Sequence, residues 1–262
     1  ENKKEFKLIS KKNPKSLLPN TLTIFGVCLG LSSIKFALDL NYVMAVIAIG
    51  FAAILDTLDG RVARLIKGTS KVGKELDSLT DVISFGVAPS FVMYFWILNE
   101  LGKIGWMIVL IYSVCCALRL ARFNLTTIED SESWKVNFFE GIPSPAAGGI
   151  ILLPLILDLS DLLVLNNTAI ISSIVILVTS ILMVSKVPTY SLKRILIPRS
   201  LTIFLLLGIG IYISLLIFYI FQTLFITGVV YILLIPISYF HYRNINKKIL
   251  NPVTDEETED VL

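Results

Sequence analysis

Stretches of about twenty apolar residues recur along almost the whole chain, and nothing else in the sequence constrains the fold as strongly. A helix rises about 1.5 Å per residue, so about 20 apolar residues match the hydrocarbon core of a bilayer. Inside that core every backbone N–H and C=O must be satisfied within the protein, which leaves the helix as the form for such runs. Eight runs are expected to span, at roughly 20–38, 42–66, 73–98, 104–123, 146–164, 168–187, 200–220 and 222–241. The expected fold class is an all-α polytopic membrane helix bundle of about eight transmembrane helices. The composition agrees: 55% of the 262 residues are hydrophobic and 16% charged. The net charge of +3 is small, and no nucleic acid is expected as a partner.

Charge placement gives an orientation. Twenty-one of the 23 Lys and Arg residues fall on one side of an eight-span arrangement, Lys103 on the other, and Lys35 within the first span. Basic loops stay in the cytoplasm, so both termini and the loops at 67–72, 125–145 and 188–199 are expected there, with the chain multi-pass in a prokaryotic cell (inner) membrane. The basic start, "ENKKEFKLISKKNPKSLLPN", lacks the apolar core of a cleavable signal peptide and suits a membrane-surface segment or a topogenic tail. Three cysteines in apolar segments (Cys28, Cys115, Cys116) are no disulfide framework and are read as buried small hydrophobes.

Against this background "LDTLDGRVARLIKGTSKVGKELDSLTD", residues 55–81, stands apart. An aspartate at the centre of a membrane helix costs about 2.5–3.5 kcal/mol on insertion scales, and this stretch holds four. Asp56 and Asp59 are spaced i,i+3 and Asp77 and Asp81 i,i+4, so each pair shares a helix face. Gly68 in the polar "KGTSK" turn is a helix stop, and two antiparallel helices joined there would bring the four carboxylates together at one membrane edge. So close a set repels itself unless a cation lies between, and carboxylate oxygens suit Mg²⁺, Mn²⁺ or Ca²⁺. Shared carboxylates could hold two such ions about 3.5–4 Å apart, an arrangement used in phosphoryl transfer. Gly60 and Ala63 leave room for a ligand near the backbone, Arg64 suits phosphate oxygens, and Gly73 opens the next helix, whose N–H groups attract anions. The simpler reading, in which the aspartates pair with Arg61, Arg64, Lys71 and Lys74, does not explain all four at this spacing.

The pattern Asp56-x-x-Asp59-Gly60-x-x-Ala63-Arg64, eight residues, then Gly73-x-x-x-Asp77-x-x-x-Asp81 resembles the full signature of the CDP-alcohol phosphotransferase family. "PNTLTIFGVCLG", "LDSLTDVISFGVAPS", "LRLARFN" and "GIPSPAAGG" are similar to its phosphatidylserine-forming subgroup, although Gly148 stands where a third alanine is expected. The resemblance covers roughly residues 17–240. It implies a transferase of phospholipid biosynthesis with a six-helix catalytic core, paired as a homodimer, with two divalent ions on Asp56, Asp59, Asp77 and Asp81. It also implies transfer of the phosphatidyl group from CDP-diacylglycerol to L-serine, giving phosphatidylserine and CMP, with Asp81 as general base. On this division residues 1–19 form a basic N-terminal segment, 20–187 the core, 188–241 a loop and two additional helices, and 242–262 a polar acidic tail.

Lower in weight stand the acceptor- or phosphate-binding candidates. Arg119 and Arg122 share a face, followed by Asn124, and an amino acid acceptor needs a cation for its carboxylate. Ser144 lies between Pro143 and Pro145 and is either functional or a cap. Lys186 and Arg194 belong to a basic loop that is either solvated or, as the resemblance implies, an anion pocket. "GVCLG" reads as a helix-packing motif. Another acceptor, such as glycerol 3-phosphate or inositol phosphate, or an archaeal CDP-lipid, remains open. An ion-coupled transporter fits less well, because no ionisable chain crosses the membrane, and a scaffold protein would have no use for the four aspartates.

Overall fold

A computed structural model describes residues 17–66, 71–126, 138–163, 166–190 and 201–250. Residues 1–16 of the expected basic N-terminal segment, Gly68, Arg194 and residues 251–262 of the acidic tail lie outside them. Helix α1 (Leu17–Leu38) runs antiparallel to α2 (Tyr42–Leu65) across a tight turn, in which Leu40 takes φ 59° and Asn41 caps α2 by accepting from the Met44 N–H at 3.2 Å. The third segment comprises α3 (Lys71–Asp81), a π-helical stretch (Val82–Val87) and α4 (Ala88–Trp96). A 3₁₀ turn (Leu98–Leu101) leads into α5 (Lys103–Thr126). Strand β1 (Phe138–Glu140), α6 (Ser144–Ile151), α7 (Leu153–Leu159), α8 (Thr168–Val184) and β2 (Pro188–Tyr190) follow, and α9 (Thr202–Phe218) and α10 (Ile220–Leu250) close the chain.

Among the described residues, five segments are long and apolar enough to cross a membrane: Leu18–Leu38, Tyr42–Leu65, Val72–Trp96, Lys103–Asn124 and Ile220–Arg243. Two further expected spans are the shorter apolar helices α8 and α9. The remaining one, expected at 146–164, consists of α6 and α7, broken at Leu152. Pro154 explains the break, because it has no N–H to continue the ladder from α6 into α7. The chain is thus an all-α polytopic membrane protein.

The π-helical stretch was not expected, and it too follows from a proline. Pro89 cannot donate to the Phe85 carbonyl one turn earlier. That carbonyl accepts instead from the buried Tyr112 hydroxyl at 3.0 Å, while the Ala88 N–H reaches back five residues to the Ile83 carbonyl. Single π turns of this kind cluster at functional sites, and this one begins directly after Asp81.

Small residues let the helices close around it. A Cβ at Gly30 would lie 2.9 Å from the Ser84 Cα, and the Ser84 hydroxyl donates to the Gly26 carbonyl at 3.1 Å. Both glycines of "GVCLG" therefore face the third segment, as expected for a packing motif. The cysteines divide: Cys116 is buried as expected, Cys115 is half-buried, and Cys28 departs from expectation, exposed on the outer face of α1. For a thiol on a membrane helix, lipid is as apolar as a core.

Candidate active site

The aspartates sit where α2 and α3 face each other. One carboxylate oxygen from each of Asp56, Asp59 and Asp77 lies within 4.8 Å of the other two. Asp56 and Asp59 come from one face of α2, and Asp77 from α3. Among the described side chains no salt bridge joins any of them to a Lys or Arg; the ion pair present is Lys35 with Asp39. Three like charges at such distances are compatible with a compact fold when a cation neutralises them, and a set of hard oxygens selects a divalent ion of the Mg²⁺, Mn²⁺ or Ca²⁺ type. The residues fit the expected metal.

Asp59 is buried and held from outside the acidic motif. The Thr23 hydroxyl of α1 lies 2.6 Å from its Oδ2 and 3.0 Å from the Pro19 carbonyl. Such an outer contact fixes the direction of a ligating carboxylate. Nothing in the spacing of the aspartates pointed to Thr23, which is 36 residues away.

Asp81 adjoins the trio at Asp56 and lies within electrostatic reach of Arg119. Its Oδ2 accepts from the Ser144 hydroxyl at 2.8 Å, and its Oδ1 is buried with no hydrogen-bond partner. Ser144 is therefore a partner of Asp81, and no side-chain cap bond is made at the start of α6. The prolines around it act as expected: Pro143 is the N-cap and Pro145 lies in the first turn of α6. Ser144 itself is 1% exposed, so this turn delivers its hydroxyl to the site at a fixed angle.

The remaining candidates divide. A Cβ at Gly60 would meet open space, consistent with room for a ligand there. Ala63 is half-exposed and Gly73 lies within the first turn of α3. Arg64 is exposed, and its Nε donates to the Gly60 carbonyl of its own helix at 3.0 Å. Arg119 points inward, with its Nε buried and unpartnered. Arg122, one turn on, donates from Nη1 to the Val184 carbonyl at 3.2 Å, at the C-terminal end of α8. Asn124 donates to Ser78 at 2.9 Å, which ties the end of α5 to α3. Lys186 is exposed.

Strands β1 and β2 pair antiparallel, with Phe138 opposite Tyr190 and Glu140 opposite Pro188. At the end of β1, Gly141 adopts φ 74°, and a Cβ there would lie 2.6 Å from the Met183 carbonyl oxygen. Its N–H donates to the Val187 carbonyl at 2.9 Å and its carbonyl accepts from the Thr189 hydroxyl at 2.8 Å. This small sheet, unanticipated in an all-helical reading, fixes the approach to Ser144.

The site thus gathers an acidic trio, an adjoining fourth carboxylate and a neighbouring arginine. Comparison with known proteins identifies the family. Residues 16–236 match the CDP-alcohol phosphatidyltransferase family. A CDP-diacylglycerol–serine O-phosphatidyltransferase of Helicobacter pylori is 40% identical over 183 residues, 70% of this chain and 76% of the relative. The enzyme of the same name from Mycobacterium leprae is 38% identical over 183 residues, covering 61% of its length, and that from Mycobacterium tuberculosis 44% over 131 residues, covering 46%. The chain thus spans about half to three fifths of these mycobacterial relatives. On the length of the match and the Helicobacter relative together, the chain belongs to the CDP-alcohol phosphatidyltransferase family.

Proposed function

We propose that the chain transfers the phosphatidyl group of CDP-diacylglycerol to the hydroxyl of L-serine and releases CMP. The observation that carries this reading is the separation of two acidic functions: three clustered carboxylates, and beside them a fourth with one buried oxygen unpartnered. The names of the relatives support serine as the acceptor.

Asp56, Asp59 and Asp77 would hold divalent cations, with Asp81 adjoining through Asp56; two ions suit a shared carboxylate set. When bound, the metal neutralises charge on the diphosphate and on departing CMP. Gly60 and Ala63 leave the face of α2 open for the cytidine diphosphate, and Arg64 and the Gly73 turn offer it positive charge. Ser144 holds Asp81 through Oδ2, which leaves Oδ1 to take the proton of the serine hydroxyl. The serine oxygen forms a bond to the β-phosphorus, the bond from that phosphorus to the bridging oxygen breaks, and the oxygen leaves with CMP. Arg119 sits where it can hold the acceptor carboxylate. The acyl chains leave sideways into lipid.

The lysine and arginine distribution supports a cytoplasmic site and cytoplasmic termini. Residues 20–187 form the catalytic core, 188–241 add a loop and two helices, and the enzyme acts as a homodimer. The test is release of CMP from CDP-diacylglycerol in detergent micelles, with phosphatidylserine measured in parallel. Product should require both L-serine and a divalent ion, and EDTA should abolish it. Asp81→Asn should lose transfer while CDP-diacylglycerol binding persists, since Asn keeps the shape but cannot accept the proton. Turnover unaffected by EDTA would refute the metal reading, and serine-independent CMP release at the full rate would refute the acceptor.

A further inference from the structure

Two polar atoms share an unusual condition: the Arg119 Nε and the Tyr231 hydroxyl are both buried without a hydrogen-bond partner. They come from different elements, Arg119 from α5 and Tyr231 from α10, one of the two helices beyond the six-helix core. Asp81 and Tyr231 are both among the polar neighbours of the Arg119 guanidinium. Thr189 of β2 is the polar side chain beside the Tyr231 oxygen; its hydroxyl hydrogen is committed to the Gly141 carbonyl, and it makes no full hydrogen bond with Tyr231. A buried donor left unmet is costly, so two of them around one arginine, with an unmet acceptor at Asp81 Oδ1, describe the ligand that satisfies all three. It must donate at one end and accept from two donors at the other.

We propose that Tyr231 and Arg119 form a carboxylate pocket that selects a hydroxy acid over other alcohols, with Tyr231 of α10 as the specificity-determining residue. The Tyr231 O–H and the Arg119 Nε–H donate to the carboxylate of the acceptor, whose hydroxyl donates to Asp81 Oδ1. This deepens the reading above and rests on it. The fold holds Tyr231 inward by a specific device. Gly228, Tyr231, Ile235 and Ser238 lie on one face of α10 at helical spacing, and Ile235 and Ser238 are buried. A Cβ at Gly228 would run into the end of the Leu153 side chain, so the glycine lets α10 lie close on α7.

The experiment compares L-serine with L-serinamide, which keeps the hydroxyl and ammonium but lacks the carboxylate. Wild type, Tyr231→Phe and Gly228→Leu are assayed for kcat, for KM of each acceptor and for CDP-diacylglycerol affinity. Tyr231→Phe should raise the KM for serine about tenfold, the weight of one hydrogen bond to a charged group. It should leave CDP-diacylglycerol binding and the KM for serinamide unchanged. Gly228→Leu, which displaces Tyr231 without altering it, should shift the serine-to-serinamide preference in the same direction. An unchanged serine KM in Tyr231→Phe, or an equal loss for both acceptors, would overturn the pocket while leaving the transferase reading intact. A wild-type enzyme that makes no phosphatidylserine at all would overturn both.

Discussion

The third segment, from α3 through the π-helical stretch to α4, and α9 together invert the rule that governs soluble proteins. α9 has no charged residue, and none of its side chains is buried. α3, with its π-helical continuation, carries Asp77 and Asp81 and leads into a run, Ser84–Gly86, that is wholly buried. In water the apolar helix would be inside and the acidic one outside. In a bilayer, lipid solvates apolar side chains as well as a core does, so apolarity no longer marks the interior. Polar groups do, since each needs a partner that hydrocarbon cannot supply. The hydroxyls of Thr23, Ser84, Tyr112 and Ser144 all reach inward partners on other helices.

The comparison breaks most sharply at the trio. Asp59→Asn removes charge from the cluster without adding a ligand. Turnover should fall about a thousandfold, in keeping with the several kcal/mol that metal stabilisation supplies, while circular dichroism in detergent stays unchanged. Retained activity in that variant would mean that the buried aspartate is structural. One step out, Thr23→Val deletes the hydrogen bond to Asp59 but keeps the side-chain volume. Mn²⁺ affinity, followed by titration of activity, should weaken about 10–100-fold, the usual range for an outer contact of a metal ligand. An unaltered metal dependence would show that Asp59 is oriented without Thr23.

How far the site was legible follows the same line. The acidic positions were readable because i,i+3 and i,i+4 spacing fixes a helix face, and "GVCLG" because small residues four apart mark close packing. Asp81 was expected both as a metal ligand and as the base; its setting adds Ser144, 63 residues away, and the π-helical stretch that follows it. Neither can be read from local periodicity, because the first is a tertiary contact and the second arises when Pro89 and Tyr112 rewire one carbonyl. Tyr231 was invisible for a related reason: a tyrosine in an apolar run looks like any interfacial aromatic until the helix is packed. Cys28 was misjudged by a soluble-protein habit, since a residue avoiding water need not avoid the lipid surface.

Between the two extremes lies Gly30. A valine there would drive its side chain into the Ser84 backbone, and overpacking of this kind costs about 1–3 kcal/mol. Gly30→Val should lower the thermal midpoint in detergent measurably and reduce activity only through loss of folded protein. A normal midpoint would mean that α1 and the third segment can separate without penalty.

The smallest effect is expected on α9. Leu206 and Ile209 are 63% and 47% exposed, and lipid tails cover such side chains in the membrane. Truncating them removes contacts with lipid that other lipid atoms replace, so neither the transfer loss nor the cavity that accompanies a core truncation arises. Leu206→Ala and Ile209→Ala, singly and together, should change turnover less than about twofold and leave the thermal midpoint within the scatter of surface substitutions, about 0.5 kcal/mol. The same pair tests the homodimer. If α9 packed against a second copy, the substitutions would open a cavity between protein surfaces, and the double variant would lose dimer by crosslinking while the monomeric core stayed folded. A dimer unaffected by both substitutions assigns the interface to other helices. The two outcomes separate a helix whose apolarity serves lipid from one whose apolarity serves assembly, which composition alone cannot distinguish.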